Sequence, residues 1–336
     1  MYHPFAFIKQ DIGFTPSITS SYIDVLVVGG GGAGGYRTGG GGGAGGYISS
    51  VGMSGGGQSA VSVFTASMNT AYYIQIGAGG NAFNTDAPSG VTGNGSPSRL
   101  NDYYANGGGR GGSGYNVVTD QAIYRNGQPG GSGGGGGSWQ YSGNYATGSG
   151  GTGSSGITPE QTIYGYNGGS GSIASNGTFR RGGGGGGAGA VGEDALTGNS
   201  YLLDGARGGD GIDNGPEQTL IYRAGGGGGG QATIPTAPYT ASYGGIGGGG
   251  NGGTGTFPAG NGIDTTGGGG GGGGPTVGGK GGSGVVILRY IANDITASVG
   301  VGVTVSEVQI GVYKVLTVTA GGTPNTLDNI TFTPLR

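Results

Sequence analysis

The residues able to do chemistry in this chain are few, and their spacing limits what they can do. His3 is the only histidine, so neither a Ser-His-Asp triad nor a histidine-bearing metal cluster can be assembled. There is no cysteine, which excludes a disulfide framework, a thiolate zinc site and a cysteine nucleophile. The 16 Asp and Glu residues leave paired carboxylates open in principle. Adjacent acids such as Glu193 and Asp194 fall in a loop region, and glycosidase-type pairs need a rigid cleft. Two short motifs invite a ligand. The run IDVLVVGGGGAGG (23–35) puts Gly29, Gly31 and Gly34 in the G-x-G-x-x-G positions that follow a strand in dinucleotide sites. Such a site needs a helix at once, whose N-terminus receives the pyrophosphate. Here Tyr36-Arg37-Thr38 and a second Gly block follow instead. Residues 208–217, GGDGIDNGPE, match the start of a calcium-binding nonapeptide, with Asp210 and Asp213 in place. Position 215 is Gly where a large apolar residue is due, and one unit has no neighbour to stack on, so a solvated turn is expected. The expectation is a non-enzyme with no cofactor and no metal.

The elements that would position any site are set by an unusual composition. Glycine accounts for 98 of 336 residues, with 13 prolines, where the usual Gly share is about 7 %. Composition alone would imply a low-complexity, disordered chain. Disordered chains keep themselves solvated with charge, yet only 9 % of these residues are charged. Collagen is excluded, because Gly does not recur at strict thirds and Pro is scarce. A net charge of -3 and a pI near 5.0 give no basic footprint for nucleic acid. No apolar run approaches the ~20 residues of a membrane span, so no membrane insertion is expected. Met1–Gln10 lacks the basic and apolar regions of a secretory signal.

Four zones follow from the pattern. Residues 1–21 form an aromatic-rich arm. Residues 22–106 alternate Gly with short Val-, Ile- and Tyr-rich runs such as YIDVLVV (22–28) and AYYIQI (71–76), which read as strands. Residues 107–284 consist of Gly blocks and intervening loops. A last strong strand, VVILRYI (285–291), is expected to close the first sheet unit, and 292–336 reads as a small β-unit of its own. No segment carries a 3.6-residue apolar stripe.

The Gly blocks are of two kinds. Those at 107–114, 244–255 and 278–284 repeat Gly-Gly-x, with Arg110, Ser113, Asn251, Thr254, Lys280 or Ser283 as x; those at 182–187, 225–230 and 267–274 are pure Gly. Period three is that of polyproline-II geometry, with 3 residues per turn and about 3.1 Å of rise. A pure-Gly helix is bare on all sides and can be surrounded, whereas a Gly-Gly-x helix keeps one polar face. The expected fold is therefore mostly β with a polyglycine-II helix bundle, a β-sheet unit plus a layered Gly-rich sandwich, and essentially no α-helix. Flexible Gly linkers are the alternative, and they give no reason for two block types.

Such layered polyglycine-II bundles resemble the distal tail-fibre adhesins of tailed bacteriophages. The stretches 23–47, 72–80 and 278–290 are also similar to the glycine-rich domain of phage tail and virion proteins. The resemblance implies a virion structural protein, a tail-fibre or tail-tip receptor-binding adhesin presenting loops on a rigid scaffold. Its partners would be other virion proteins and a bacterial surface receptor, either polysaccharide or outer-membrane protein. A capsid decoration or tail-assembly protein is the alternative, and ice binding is disfavoured by the absence of a regular Thr array.

The loops between blocks carry the candidate contact residues. Three of them, DQAIYRNG (120–127), EQTIYGYNG (160–168) and EQTLIYRAGG (217–226), share a pattern that implies duplication and a short strand entering each helix. Trp139, Tyr141 and Tyr145 lie together, as do Tyr239 and Tyr243. Such rings give large contact area with a polar handle, suited either to a receptor or to capping a bundle that lacks a side-chain core. In the arm, Tyr2, Phe5, Phe7 and Phe14 are apolar surface without a local partner and are candidates for attachment to another subunit.

Overall fold

The apolar, β-branched runs of the sequence become strands, and the Gly blocks do not. The computed structural model describes residues 18–83, 93–114, 122–141, 144–153, 164–174, 179–198, 205–217, 219–232, 242–255, 257–321 and 328–335. In chain order the strands are β1 (Ser20–Val28), β2 (Tyr47–Ser49), β3 (Met53–Ser54), β4 (Gln58–Ser59), β5 (Phe64–Ser67), β6 (Ala71–Gln75), β7 (Ser98–Leu100) and β8 (Tyr103–Ala105). One helical turn, α1 (Ala122–Arg125), comes next. It stands where the first repeated loop was expected to form a strand. Then follow β9 (Ser138–Tyr141), β10 (Asn144–Thr147), β11 (Ser172–Ile173), β12 (Arg180–Arg181) and β13 (Gln231–Ala232). The last five are β14 (Val285–Ile291), β15 (Ile295–Val299), β16 (Thr304–Ile310), β17 (Tyr313–Ala320) and β18 (Asn329–Pro334).

Two antiparallel sheets face each other. One runs β16-β17-β14-β1-β2, with β5 on the first half of β1; the other runs β15-β18-β6-β7-β8. Val25, Val27, Phe64, Ile74, Leu288 and Phe332 fill the space between them. The opposite face of the first sheet, with Leu26, Val28, Tyr47 and Ile287, rests on Ala44, Ala188, Ile212 and Ala224 from the Gly region. A sheet covered on both faces needs continuous rather than alternating apolar residues, which is why YIDVLVV and VVILRYI are unbroken. These two runs lie side by side, Asp24 opposite Arg289, joined by a 2.6 Å ion pair. The tail 292–336 reads in the sequence as a separate unit, but its strands are built into both sheets. β17 continues the first sheet beside β14, and β18 pairs with β6. A 45-residue unit buries too little surface to stand alone, and the tail instead completes the sandwich.

Below the first sheet the Gly segments form a lattice of threefold helices. Gly29, Gly32 and Gly35 donate to Gly46, Gly43 and Gly40; Gly30 and Ala33 donate to Ser96 and Gly93; Gly31 and Gly34 donate to Gly282 and Gly279. Each third residue thus addresses the same neighbour, as expected for a helix of three residues per turn without internal hydrogen bonds. Segment 39–46 is the axis. Six segments surround it: 29–35, 106–112, 132–135, 183–186, 227–230 and 267–273. A second shell outside these includes 77–80, 93–96, 148–151, 166–169, 206–209, 250–253 and 279–282. A Cβ placed on Gly31 would sit 2.0 Å from the Gly268 carbonyl oxygen, so only Gly permits this spacing.

Pure-Gly blocks accordingly lie inside, and the Gly-Gly-x blocks 244–255 and 278–284 lie outside. Block 107–114 departs from that rule. It belongs to the inner ring, and Arg110 and Ser113 are 3 % and 1 % exposed. Their faces are covered: the Arg110 guanidinium lies 5.6 Å from the centre of the Phe83 ring, and the Tyr36 amide donates to Ser113 Oγ at 3.3 Å.

The rim of the lattice leaves outward N–H groups that need acceptors, and Asn and Asp supply them. Asn126 Oδ1 accepts from Ser149 N at 3.0 Å, while the next amide, Gly127 N, donates to Ser149 O at 2.9 Å. Asn261 and Gly262 hold Lys280 in the same way, Asp210 and Gly211 hold Ile246, and Asp194 and Ala195 hold Ser170. Asn94, Asn167 and Asn251 make equivalent two-point clasps on their neighbours. Asp210, read in the sequence as part of a solvated turn, is thus one of the clasps.

Candidate functional site

The segments of the bundle run between a near end, against the sandwich, and a far end. Segment 29–35 leaves β1 at the near end and reaches the far end at Tyr36–Thr38, where the chain turns back into the axial segment. No helix follows the G-x-G-x-x-G run, and the N–H groups of Gly29, Gly30 and Gly31 are committed to neighbouring segments. No amide remains there to cradle a pyrophosphate.

Far-end loops close over the bundle. The β9–β10 hairpin and the three-stranded sheet β11-β12-β13 lie there against each other. Thr38 fixes the hairpin, since its Oγ1 donates to Ser138 O at 2.9 Å and its carbonyl accepts from Ser138 N at 3.1 Å. Arg37 and Thr38 have φ of 39° and 40°, a left-handed conformation that is an outlier for a β-branched residue. The sequence puts two bulky residues where Gly would be unstrained.

Neighbouring residues on β12 point to opposite faces, and their two arginines do different things. Arg181 Nη1 donates to Leu196 O at 3.1 Å, and Ser172 Oγ donates to the same carbonyl at 2.8 Å, pinning the loop at 195–198. Arg180 lines a cavity of about 360 Å³ together with Arg37, Thr38, Gly114, Ala232 and Pro275. Burial, and then the nearby Arg37 charge, lower the Arg180 pKa; the guanidinium nonetheless remains charged at neutral pH. Sequence reasoning missed this pair, because Arg37 and Arg180 are far apart in the chain. The one available signal was that Tyr36-Arg37-Thr38 interrupts two Gly blocks.

The aromatic candidates divide. Trp139, on β9, is 5 % exposed and caps the far end. Tyr145, on β10 and opposite Gln140, is 45 % exposed. Tyr243 is 53 % exposed but sits on the flank of the bundle, where its carbonyl accepts from Gly208 N. The structure therefore does not gather Trp139, Tyr145 and Tyr243 into one surface. Tyr141 contributes its backbone to β9. Tyr239 and the arm residues Tyr2, Phe5, Phe7 and Phe14 lie outside the described residues. Among the described residues there is no metal-binding group of His, Cys, Asp and Glu, and no helix is long and apolar enough to cross a membrane.

A family model described as a glycine-rich domain matches residues 10–291. The chain belongs to the glycine-rich domain family. Its match ends with β14, so the family region holds the whole Gly lattice and the strands of the first sheet up to Ile291. The sheet of this glycine-rich domain is then extended by β17 from beyond the match. No curated protein and no solved structure matches the chain.

Proposed function

We propose that this glycine-rich domain protein is a bacteriophage virion structural protein, a tail-fibre or tail-tip adhesin that contacts a bacterial surface receptor. The role is one of binding rather than catalysis, carried out on the virion after assembly in the host cytoplasm. The observation that carries the reading is the division of the molecule. A sandwich holds one end of a lattice whose Gly segments are locked to their neighbours, and the β9–β10 hairpin and the β11-β12-β13 sheet close over the other end. Loops on a rigid support are where recognition residues generally sit. The adhesin reading assigns attachment to other virion proteins to the sandwich side and the arm 1–21, and receptor contact to the far end.

A second reading, capsid decoration or tail assembly, is favoured by apolar residues on the outer strands. Val308 and Val312 are exposed at and beside the edge strand β16, where another subunit would cover them. Replacing loop 138–147 separates the two. An adhesin keeps its place in the particle and changes adsorption to cells. A decoration protein fails to incorporate, and its particles adsorb as before. Electron microscopy with an antibody to this chain places it on tail or head.

A further inference from the structure

We propose that β16 pairs antiparallel with β16 of a second copy, joining the first sheets of two molecules across a twofold axis. The pairing stands on the strand itself and on neither reading of function above. β16 has seven residues and ends its sheet; among the described residues it pairs with β17 alone. Thr304, Ser306, Glu307, Val308 and Gln309 are all exposed. By contrast β15, which ends the second sheet, has five residues and exposes one. Natural edge strands are blunted by shortness, by Lys or Pro, or by a bulge. β16 contains no Lys, Arg or Pro, and its register shift falls at its start, between Thr304 and Val305. Its single charge is already occupied. The Glu307 carboxylate lies 2.9 Å from Lys314 Nζ and accepts from the Tyr290 hydroxyl at 3.1 Å.

The backbone sets the register. Val312 O accepts from Ala292 N on β14's side, so the next residue, Tyr313, turns its N–H and C=O to Ile310 of β16. Alternation then directs the backbone groups of Ser306 and Val308 at β17 and those of Glu307 and Gln309 outward. An unbroken ladder between two copies matches outward residues with outward residues. Centring it on Glu307 opposes two like charges, which is destabilising. Centring it on Ser306 runs into the register shift at Thr304 and Val305, and centring it on Gln309 sets Glu307 against the turn residue Gly311. Centring it on Val308 sets Glu307 against Gln309, Ser306 against Ile310, and Val308 against its own copy. Val308 lies opposite Val315, which packs on the lattice side of the sheet. The 59 % exposed Val308 therefore meets its copy on that face, as a close β-branched pair.

A strand ladder of this length sits at the small end of interface sizes, under about 1,200 Å², so a dimer of micromolar affinity is expected. The full chain is sedimented between roughly 1 and 100 μM, where monomer and dimer should exchange. The chain has no cysteine, so Val308→Cys introduces a single thiol. In this register its two copies have Cα atoms about 4.5 Å apart, within disulfide range, and oxidised glutathione should link them. Val312→Cys is the control. Val312 is as exposed, at 60 %, but its two copies lie roughly 27 Å apart at about 3.4 Å per residue. Cross-linking at least about tenfold faster at 308 than at 312 is expected. Val308→Arg opposes two like charges and weakens the dimer at least about tenfold, with unchanged thermal melts. A chain still monomeric at about 100 μM, equal cross-linking at the two positions, or an Arg variant that dimerises like the parent overturns the pairing. None of these outcomes bears on the adhesin reading, which the exchange of loop 138–147 tests separately.

Discussion

Valine at Gly185 tests the lattice where it is tightest. A Cβ there would lie 2.0 Å from the Gly42 carbonyl oxygen and 2.5 Å from its carbon. Ordinary contact begins at 3.4 Å, so the inner segment and the axial segment must part by roughly 1.4 Å at this point. Four hydrogen bonds cross the affected region: Gly185 N to Gly227 O, Gly209 N to Gly185 O, Gly227 N to Gly42 O and Gly42 N to Gly270 O, all between 2.7 and 2.9 Å. A buried backbone group left unpaired costs about 1–3 kcal/mol, so losing all of them costs on the order of 4–12 kcal/mol. That compares with a total stability of about 5–15 kcal/mol for a typical protein. The expected outcome is either no folded protein or a melting temperature lowered by more than about 10 °C. Lys280→Val is the control, because Lys280 is exposed on the outer face of its segment, and a change of no more than about 2 °C is expected there. Scanning calorimetry of the two variants decides the matter. Equal melting temperatures would refute the argument that backbone approach, rather than side-chain packing, holds the bundle.

Removing the Asn126 clasp by Asn126→Ala leaves Ser149 N without its acceptor and should cost about 1 kcal/mol, seen as a small drop in melting temperature with no change of fold. Ending the chain at Ile291, where the family match stops, strips β17 from β14 and β18 from β6; aggregation or loss of a cooperative melt is expected, and a soluble, cooperatively melting fragment would contradict it. Leu288→Ala opens a cavity between the sheets and should cost about 2–5 kcal/mol in denaturant titrations. Tyr47 and Tyr290 have pKa values raised, first of all by burial. The folded state then favours the neutral phenols, so their contribution is intact below the unfolded value of about 10 and declines as pH rises above it. Melts taken across that range should show a fall that is smaller in Tyr47→Phe.

The fold was legible wherever one residue type left a periodic trace. The apolar runs of β1 and β14 announced two strands of one sheet, and the two kinds of Gly block distinguished inside from outside. Block 107–114 misled, because a Gly-Gly-x pattern states only that one face carries a side chain, not that solvent lies beyond it; Phe83 and Tyr36 cover that face instead. The tail was read alone because its strands carry no mark of the partners they join. Asn-Gly pairs such as Asn126-Gly127 and Asn261-Gly262 are the strongest short signal for hairpin turns, and in this setting they clasp neighbouring segments instead. Trp139 was offered both a capping and a contact role, and its burial assigns the cap. The Arg37 and Arg180 pair depends on a return of the chain that no local pattern encodes.

The rim clasps also bear on how the protein ages. Asparagine followed by glycine is the pair most prone to deamidation, since the unhindered glycine nitrogen can attack the preceding side-chain carbonyl, and such asparagines are a recognised thermal weakness. The rim contains Asn94-Gly95, Asn126-Gly127, Asn167-Gly168, Asn251-Gly252 and Asn261-Gly262. In every one of these pairs the glycine N–H donates to an adjacent segment while the side-chain oxygen receives an amide from that same segment. Nucleophile and target are both held by the neighbour, so ring closure to the succinimide requires breaking two hydrogen bonds first. A sequence that looks chemically short-lived is made durable by its packing, and its shelf life becomes a measure of whether the lattice is intact.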